Sequence, residues 1–214
     1  MIRKILVIAA AVAIPVSVVA VSGGAATAAS SKTAGTDTIA CKSISGTVTF
    51  SPKLDAKGYT SGHISTKITA TLTGCTVAGS TKIKVTSGAV SGTIVGATGT
   101  KTKPTGTCTG LNGNSSDAGP LTVKWTASPT TPNSVLNVKS VTGGTASGHG
   151  TFTIPGTTKG TASGSFLGTN SGASDKAVAE TSLTAGSILG TCEKSGLTSL
   201  KIQTETGKTA ISLG

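Results

Sequence analysis

His63 and His149 are the only histidines in the 214-residue chain and the only side chains whose ordinary pKa suits proton transfer near neutral pH. A Ser/His/Asp hydrolase would pair one of them with a serine and with Asp37, Asp55, Asp117 or Asp175. No G-x-S-x-G elbow marks a nucleophile. A triad is a spatial arrangement, so the missing motif does not exclude a dispersed site. Yet His63 follows Ser61-Gly62 and His149 lies between Gly148 and Gly150, contexts of turn residues rather than of a buried base. The carboxylates Asp55, Asp117, Asp175, Glu180, Glu193 and Glu205 are scattered. None forms the close pair of a glycosidase or the spacing of a calcium loop. No catalytic residue, metal ligand or cofactor emerges.

Four cysteines, Cys41, Cys75, Cys108 and Cys192, occur without a C-x-x-C or a neighbouring histidine. Zinc sites normally use clustered ligand pairs at short spacing, and a reactive thiolate needs a helix terminus or an adjacent positive charge. Two disulfides are expected instead. Three connectivities are open. Cys41 opens one expected strand and Cys75 closes the next, so an antiparallel pair would bring these two together and favour Cys41–Cys75 with Cys108–Cys192. By loop entropy the first is expected to add about 3 to 4 kcal/mol and the second about 4 to 5 kcal/mol.

The charge points to surfaces rather than to a shaped site. The chain carries +11, with 18 basic and seven acidic residues. Without Arg3 and Lys4 the basic residues fall to 16, all lysine, and the charge to +9. Guanidinium forks are the usual readers of phosphate and guanine edges, and an arginine-free chain lacks them. Three Phe, one Tyr and one Trp also leave little for a base-stacking or sugar-stacking platform. No nucleic-acid partner is expected. A diffuse positive field suits an anionic cell-wall polymer or lipid headgroups, through surface contacts such as Lys67, Lys82, Lys84 and Lys124. The same lysines also suit the solvent face of any soluble sheet. Trp125 alternates in phase with Leu121 and Val123 and reads as core, whereas Tyr59 reads as the better exposed contact.

These residues must be held by strands. Ile64, Thr66, Ile68, Ala70 and Leu72 alternate with Ser65, Lys67, Thr69 and Thr71, a period of two that places the apolar set on one sheet face. Residues 44–50, 81–85, 121–127 and 136–140 read the same way, with Gly, Pro, Asn and Ser between them. Abundant threonine suits the wet face of antiparallel strands. The expectation is one all-β domain, an antiparallel β-sandwich or barrel-like fold, over residues 41–214. One short helix is expected near 181–194, with Thr181 or Ser182 as N-cap and Leu183, Ile188, Leu189 and Cys192 on one face. Gly144–Gly148 and Gly160–Gly164 are similar segments, expected to pair as a hairpin around Ile154-Pro155-Gly156 rather than to cradle phosphate. Residues 197–204 and 209–213 read as a final hairpin through Thr206-Gly207-Lys208. The run from Asn112 to Pro120, which contains the formal glycosylation acceptor Asn114-Ser115-Ser116, reads as an exposed loop.

Destination is legible at the N-terminus. Arg3 and Lys4 precede an uncharged run from Ile5 to Val21, and Ala26-Thr27-Ala28 offers small residues where a signal peptidase cuts. Residues 1–29 read as a signal peptide cleaved after Ala28 or Ala29, and 30–40 as a tether. An uncleaved span is the alternative, and Cys41 lies too late for a lipid anchor. The cleaved protein is expected to be secreted or loosely wall-associated, with no transmembrane segment.

Ile39-Ala40-Cys41, Ser45 to Pro52, Thr71 to Cys75 and the late Cys192 with Gly196-Leu197 resemble uncharacterised exported Thr/Gly-rich all-β proteins of high-GC Gram-positive bacteria. The resemblance implies export and an all-β fold, and it brings no site residues. The function expected is non-enzymatic binding or a structural role at the envelope. The alternatives are a secreted hydrolase with a dispersed site and a small-ligand-binding barrel.

Overall fold

A computed structural model describes residues 37–79, 82–154, 162–164, 166 and 175–214. The expected signal peptide and residues 30–36 of the expected tether lie outside these. The described chain forms strands β1 (Thr38–Leu54), β2 (Ser65–Ala78), β3 (Lys84–Val95), β4 (Asn114–Ser115), β5 (Gly119–Ser128) and β6 (Ser134–Val138). Then follow β7 (Val141–Ala146), β8 (His149–Ile154), β9 (Ala162–Gly164), β10 (Lys176–Thr184), the helix α1 (Ala185–Ser195), β11 (Leu197–Gln203) and β12 (Ile211–Leu213). All strand pairs among these are antiparallel, in the order β4-β7-β8-β10-β11-β1-β2-β3-β5-β6-β9, with β12 beside β1 and β10. The fold is all-β.

The two-residue period sets the faces. Ile64, Thr66, Ala70 and Leu72 are buried while Lys67, Thr69 and Thr71 are exposed, and β5 buries Leu121, Val123 and Trp125 in the same way. Register carries this across strands. Val48 of β1 faces Ile68 of β2, and Val90 of β3 faces Val123 of β5, so each inward position meets another inward position. Trp125 is core, as its phase implied. Its indole Nε1 donates to Ser134 Oγ at 2.8 Å, and its ring meets Phe166 edge-to-face at 5.4 Å.

Residues 114–118 bend the sheet toward closure. Asn114 and Ser115 pair with Thr142 and Val141 of β7, near one end of the strand order. Ala118 then exchanges both backbone hydrogen bonds with Val95 at the end of β3, at 2.8 and 2.9 Å. A single short segment thus spans from β7 to β3. The architecture is barrel-like rather than two separate layers.

Several local expectations need correction. Thr38–Ala40 belong to β1 and not to a tether: Ile39 is buried and pairs with Val77 and Leu213. Residues 144–148 do not pair with 162–164, the described part of the second segment; the expected turn at 155–156 and residues 160–161 lie outside the described residues. β7 turns directly into β8 through Ser147 and Gly148, both at positive φ as the tight hairpin turn requires, and β9 pairs with β6. The last two strands form no hairpin with one another. β11 and β12 lie end to end along β1, both bordered by β10, and residues 204–210 loop out between them.

The single described α-helix starts later than its pattern suggested. Thr181 is unavailable as an N-cap, because its hydroxyl accepts from Gly150 N and donates to the Leu183 carbonyl inside the sheet. Thr184 caps instead, accepting from Ser187 N at 3.3 Å. Leu183 is therefore on the strand side and 56% exposed, while Ile188 and Cys192 form the buried face. At the other end Lys53 Nζ donates to the Ser195 carbonyl at 2.8 Å, which satisfies an orphan acceptor and places a cation at the helix C-terminus. Among the described residues no helix is long and apolar enough to cross a membrane.

Candidate functional site

The inner faces of the strands do not fill the space they enclose. A cavity of about 360 Å³ is walled by apolar side chains, among them Val48 and Phe50 of β1, Ile68 and Leu72 of β2, Ile94 of β3 and Val123 of β5. The local cause is side-chain size on β10. Ala177 faces Ile154 and Ala179 faces Phe152 in the β8–β10 register, and all four line the cavity. Two alanines stand where larger inward residues would close the gap.

The cavity has one polar end. Its solvent-exposed lining residues, Lys103, Pro104, Gly110, Gly113 and Asn114, all come from the segment between β3 and β5. That places the mouth there. Thr105, Thr107, Ser115 and Asp117 join this rim, and Thr66 brings a further hydroxyl from β2. Asp117 is half-buried. Its carboxyl is pushed above the ordinary carboxylate value by burial, an effect partly offset by the nearby Ser115 hydroxyl.

The mouth is fastened on several sides. Tyr59 and Thr105 exchange backbone hydrogen bonds at 2.8 and 3.0 Å, and Asp55 N donates to Gly106 O at 3.0 Å. The turn of 3₁₀ helix at Cys108–Asn112, which leads into β4, is joined to α1 by the Cys108–Cys192 disulfide. The second disulfide, Cys41–Cys75, links directly opposed residues of β1 and β2, the juxtaposition expected of an antiparallel pair. All four cysteines are paired.

Tyr59 is not the exposed contact its loop context suggested. It is half-buried, packs against the core, and donates its hydroxyl to the Lys53 carbonyl at 2.8 Å. Lys67, Lys82, Lys84 and Lys124 are exposed. Register separates them: Lys67 sits opposite Thr93, Lys124 opposite Ala89 and Lys84 opposite Ser128. Lys67 and Lys124 are thus two strands and four residues apart, roughly 16 Å on standard sheet spacings. That exceeds the screening length of about 8 Å at physiological salt. They make a diffuse positive face and not a pocket.

Neither histidine is hydrogen-bonded to the mouth's carboxylate. His63 is exposed, and His149 begins β8 with Nδ1 2.8 Å from the Thr181 carbonyl oxygen. Among the described residues neither is hydrogen-bonded to a serine or a carboxylate, and no group of three or more His, Cys, Asp or Glu gathers as a metal site. The structure gives the dispersed hydrolase no assembled triad among these residues.

Pattern reading missed the mouth. Asn114, Ser115 and Asp117 belong to a run that looks like an ordinary exposed loop, and its only unusual sequence feature is its density of turn formers between two strands. No family model, curated protein or solved structure matches the chain.

Proposed function

We propose that the protein is an exported, non-enzymatic binding protein that holds a small, largely apolar molecule inside its barrel. The cavity of about 360 Å³ carries this reading. It lies within the range of roughly 300–1,000 Å³ of small-molecule sites, and it combines apolar walls with a few polar groups at one end. An unfilled space of that size is expensive. At about 24 cal/mol per Å³, leaving it empty forgoes up to about 9 kcal/mol of packing, comparable to the roughly 5–15 kcal/mol total stability of a domain. Larger residues at positions 177 and 179 would recover part of that, so the space is best understood as reserved for an occupant.

Export is supported by the N-terminal pattern of positive charge, apolar run and small-residue exit, and by two disulfides of the kind found in oxidising compartments. The exposed lysines would add a weak, salt-sensitive attraction to anionic cell-wall polymer or lipid headgroups and keep the carrier near the envelope.

Titration of the oxidised protein with the neutral fluorophore N-phenylnaphthylamine tests the cavity. Saturable one-to-one binding, competed by a long-chain alcohol, is the expected result. Absence of saturable binding at micromolar protein would sink the proposal.

A further inference from the structure

We infer that Asp117 is the head-group receptor of this cavity and that the ligand is an apolar molecule ending in an amine. The inference rests on the reading of the cavity as a ligand site, and goes beyond it by naming the ligand's polar end.

Three features of the mouth place the carboxylate for this task. The Val95–Ala118 bridge fixes the residue after Asp117 to the end of β3. Gly96, held by its N–H to the Ile64 carbonyl at 3.0 Å, leaves room for the carboxylate: a Cβ at position 96 would stand 2.8 Å from Asp117 Oδ1. The Ser115 hydroxyl donates to the Val141 carbonyl at 3.4 Å, and its proximity favours the ionised carboxyl, which keeps acceptor positions at the rim of an apolar chamber. An ionised carboxylate accepts and does not donate, so it repels a carboxylate ligand. It gains most from a cation, whose charge-assisted hydrogen bond is roughly twice as strong as a neutral one.

Lys103, the other charged residue of the lining, is exposed, so water screens its opposing charge. The field of the whole protein runs the other way. A chain with 16 lysines against seven acids draws anions and repels cations once the N-terminal segment is gone. A preference for an amine can therefore arise only from a local group.

The experiment compares dodecylamine, dodecanol and dodecanoate, each below its micelle concentration, by displacement of N-phenylnaphthylamine from the wild-type protein, Asp117→Asn and Gly96→Ala. The wild type is expected to bind the amine about ten- to a hundred-fold tighter than the alcohol, the span of one hydrogen bond to a charged group. Asp117→Asn should erase that margin and leave dodecanol within about two-fold of wild type, since each 1.4 kcal/mol is tenfold and the alcohol's apolar burial is unchanged. Gly96→Ala keeps the charge but displaces the carboxylate, and should narrow the same margin. Equal amine affinity in wild type and Asp117→Asn, or tighter binding of dodecanoate than of dodecylamine, overturns the assignment. If the fluorophore and dodecanol bind without any amine preference, the cavity stands and only the head-group assignment falls. If nothing binds, both fall.

Discussion

Replacing Ala179 by leucine tests the space inside the barrel by filling it. Ala179 is 8% exposed, lies in register with Phe152, and lines the cavity. Leucine adds three carbons. If they enter empty space they gain about 0.8 kcal/mol each, roughly 2.4 kcal/mol in all, less about 0.5–1 kcal/mol for the rotamer freedom lost on burial. The net gain of about 1–2 kcal/mol corresponds to a rise in Tm of roughly 2–8 °C for a domain of this size. A filled core responds in the opposite direction, because overpacking costs about 1–3 kcal/mol. The sign therefore decides. Thermal denaturation with disulfides intact, paired with N-phenylnaphthylamine titration, reads both consequences: Tm should rise and probe affinity should fall. A lowered Tm, or a raised Tm with undiminished probe binding, would refute the account of β10 as the wall that leaves the cavity open.

Three other perturbations probe separate parts of the fold. Asp117→Asn should stabilise the protein at pH 7 and make no difference near pH 3. Burial raises the folded-state pKa of Asp117 above 3.8, so the cost of ionising it is absent below that value and appears as pH rises through the raised pKa; the difference in Tm between the two proteins, measured across this range, checks the sign. Removing Cys108–Cys192, which spans 84 residues, should cost about 4.6 kcal/mol against about 3.8 kcal/mol for Cys41–Cys75, which spans 34, with urea midpoints of paired Cys→Ser variants as the measure. The first pair should also weaken probe binding, because it anchors the mouth to α1, while the second should leave probe binding intact. Trp125→Phe removes the indole N–H donated to Ser134 and should cost about 1–3 kcal/mol in urea denaturation without loss of probe binding.

What was hidden in the chain was hidden for a reason. The β10 alanines look like any small inward pair, and nothing in their neighbours reports whether facing strands approach closely enough to fill the space. Asp117 sits in a run of Asn, Gly and Ser whose composition matches an ordinary loop. Its burial follows from Ala118 pairing with Val95 and from Ser115 pairing with Val141, contacts made across 23 and 26 residues of chain. Thr181 shows the same limit on a smaller scale. Its type and position fit a helix cap, but Gly150 of β8 claims its hydroxyl and the cap moves to Thr184.

The sequence by itself determined the strand class, the inward and outward faces, the core role of Trp125 and the expectation of two disulfides, because each depends on side-chain periodicity or on the chemistry of residues a few positions apart. It favoured Cys41–Cys75 for the same reason, since neighbouring antiparallel strands carry their ends together. Which strands border which, the end-to-end course of β11 and β12 along β1, and the unfilled barrel with its carboxylate at the mouth were decided only by tertiary structure. Cavity volume is a difference between the space that distant backbones enclose and the side chains that enter it, and local sequence specifies only the second quantity.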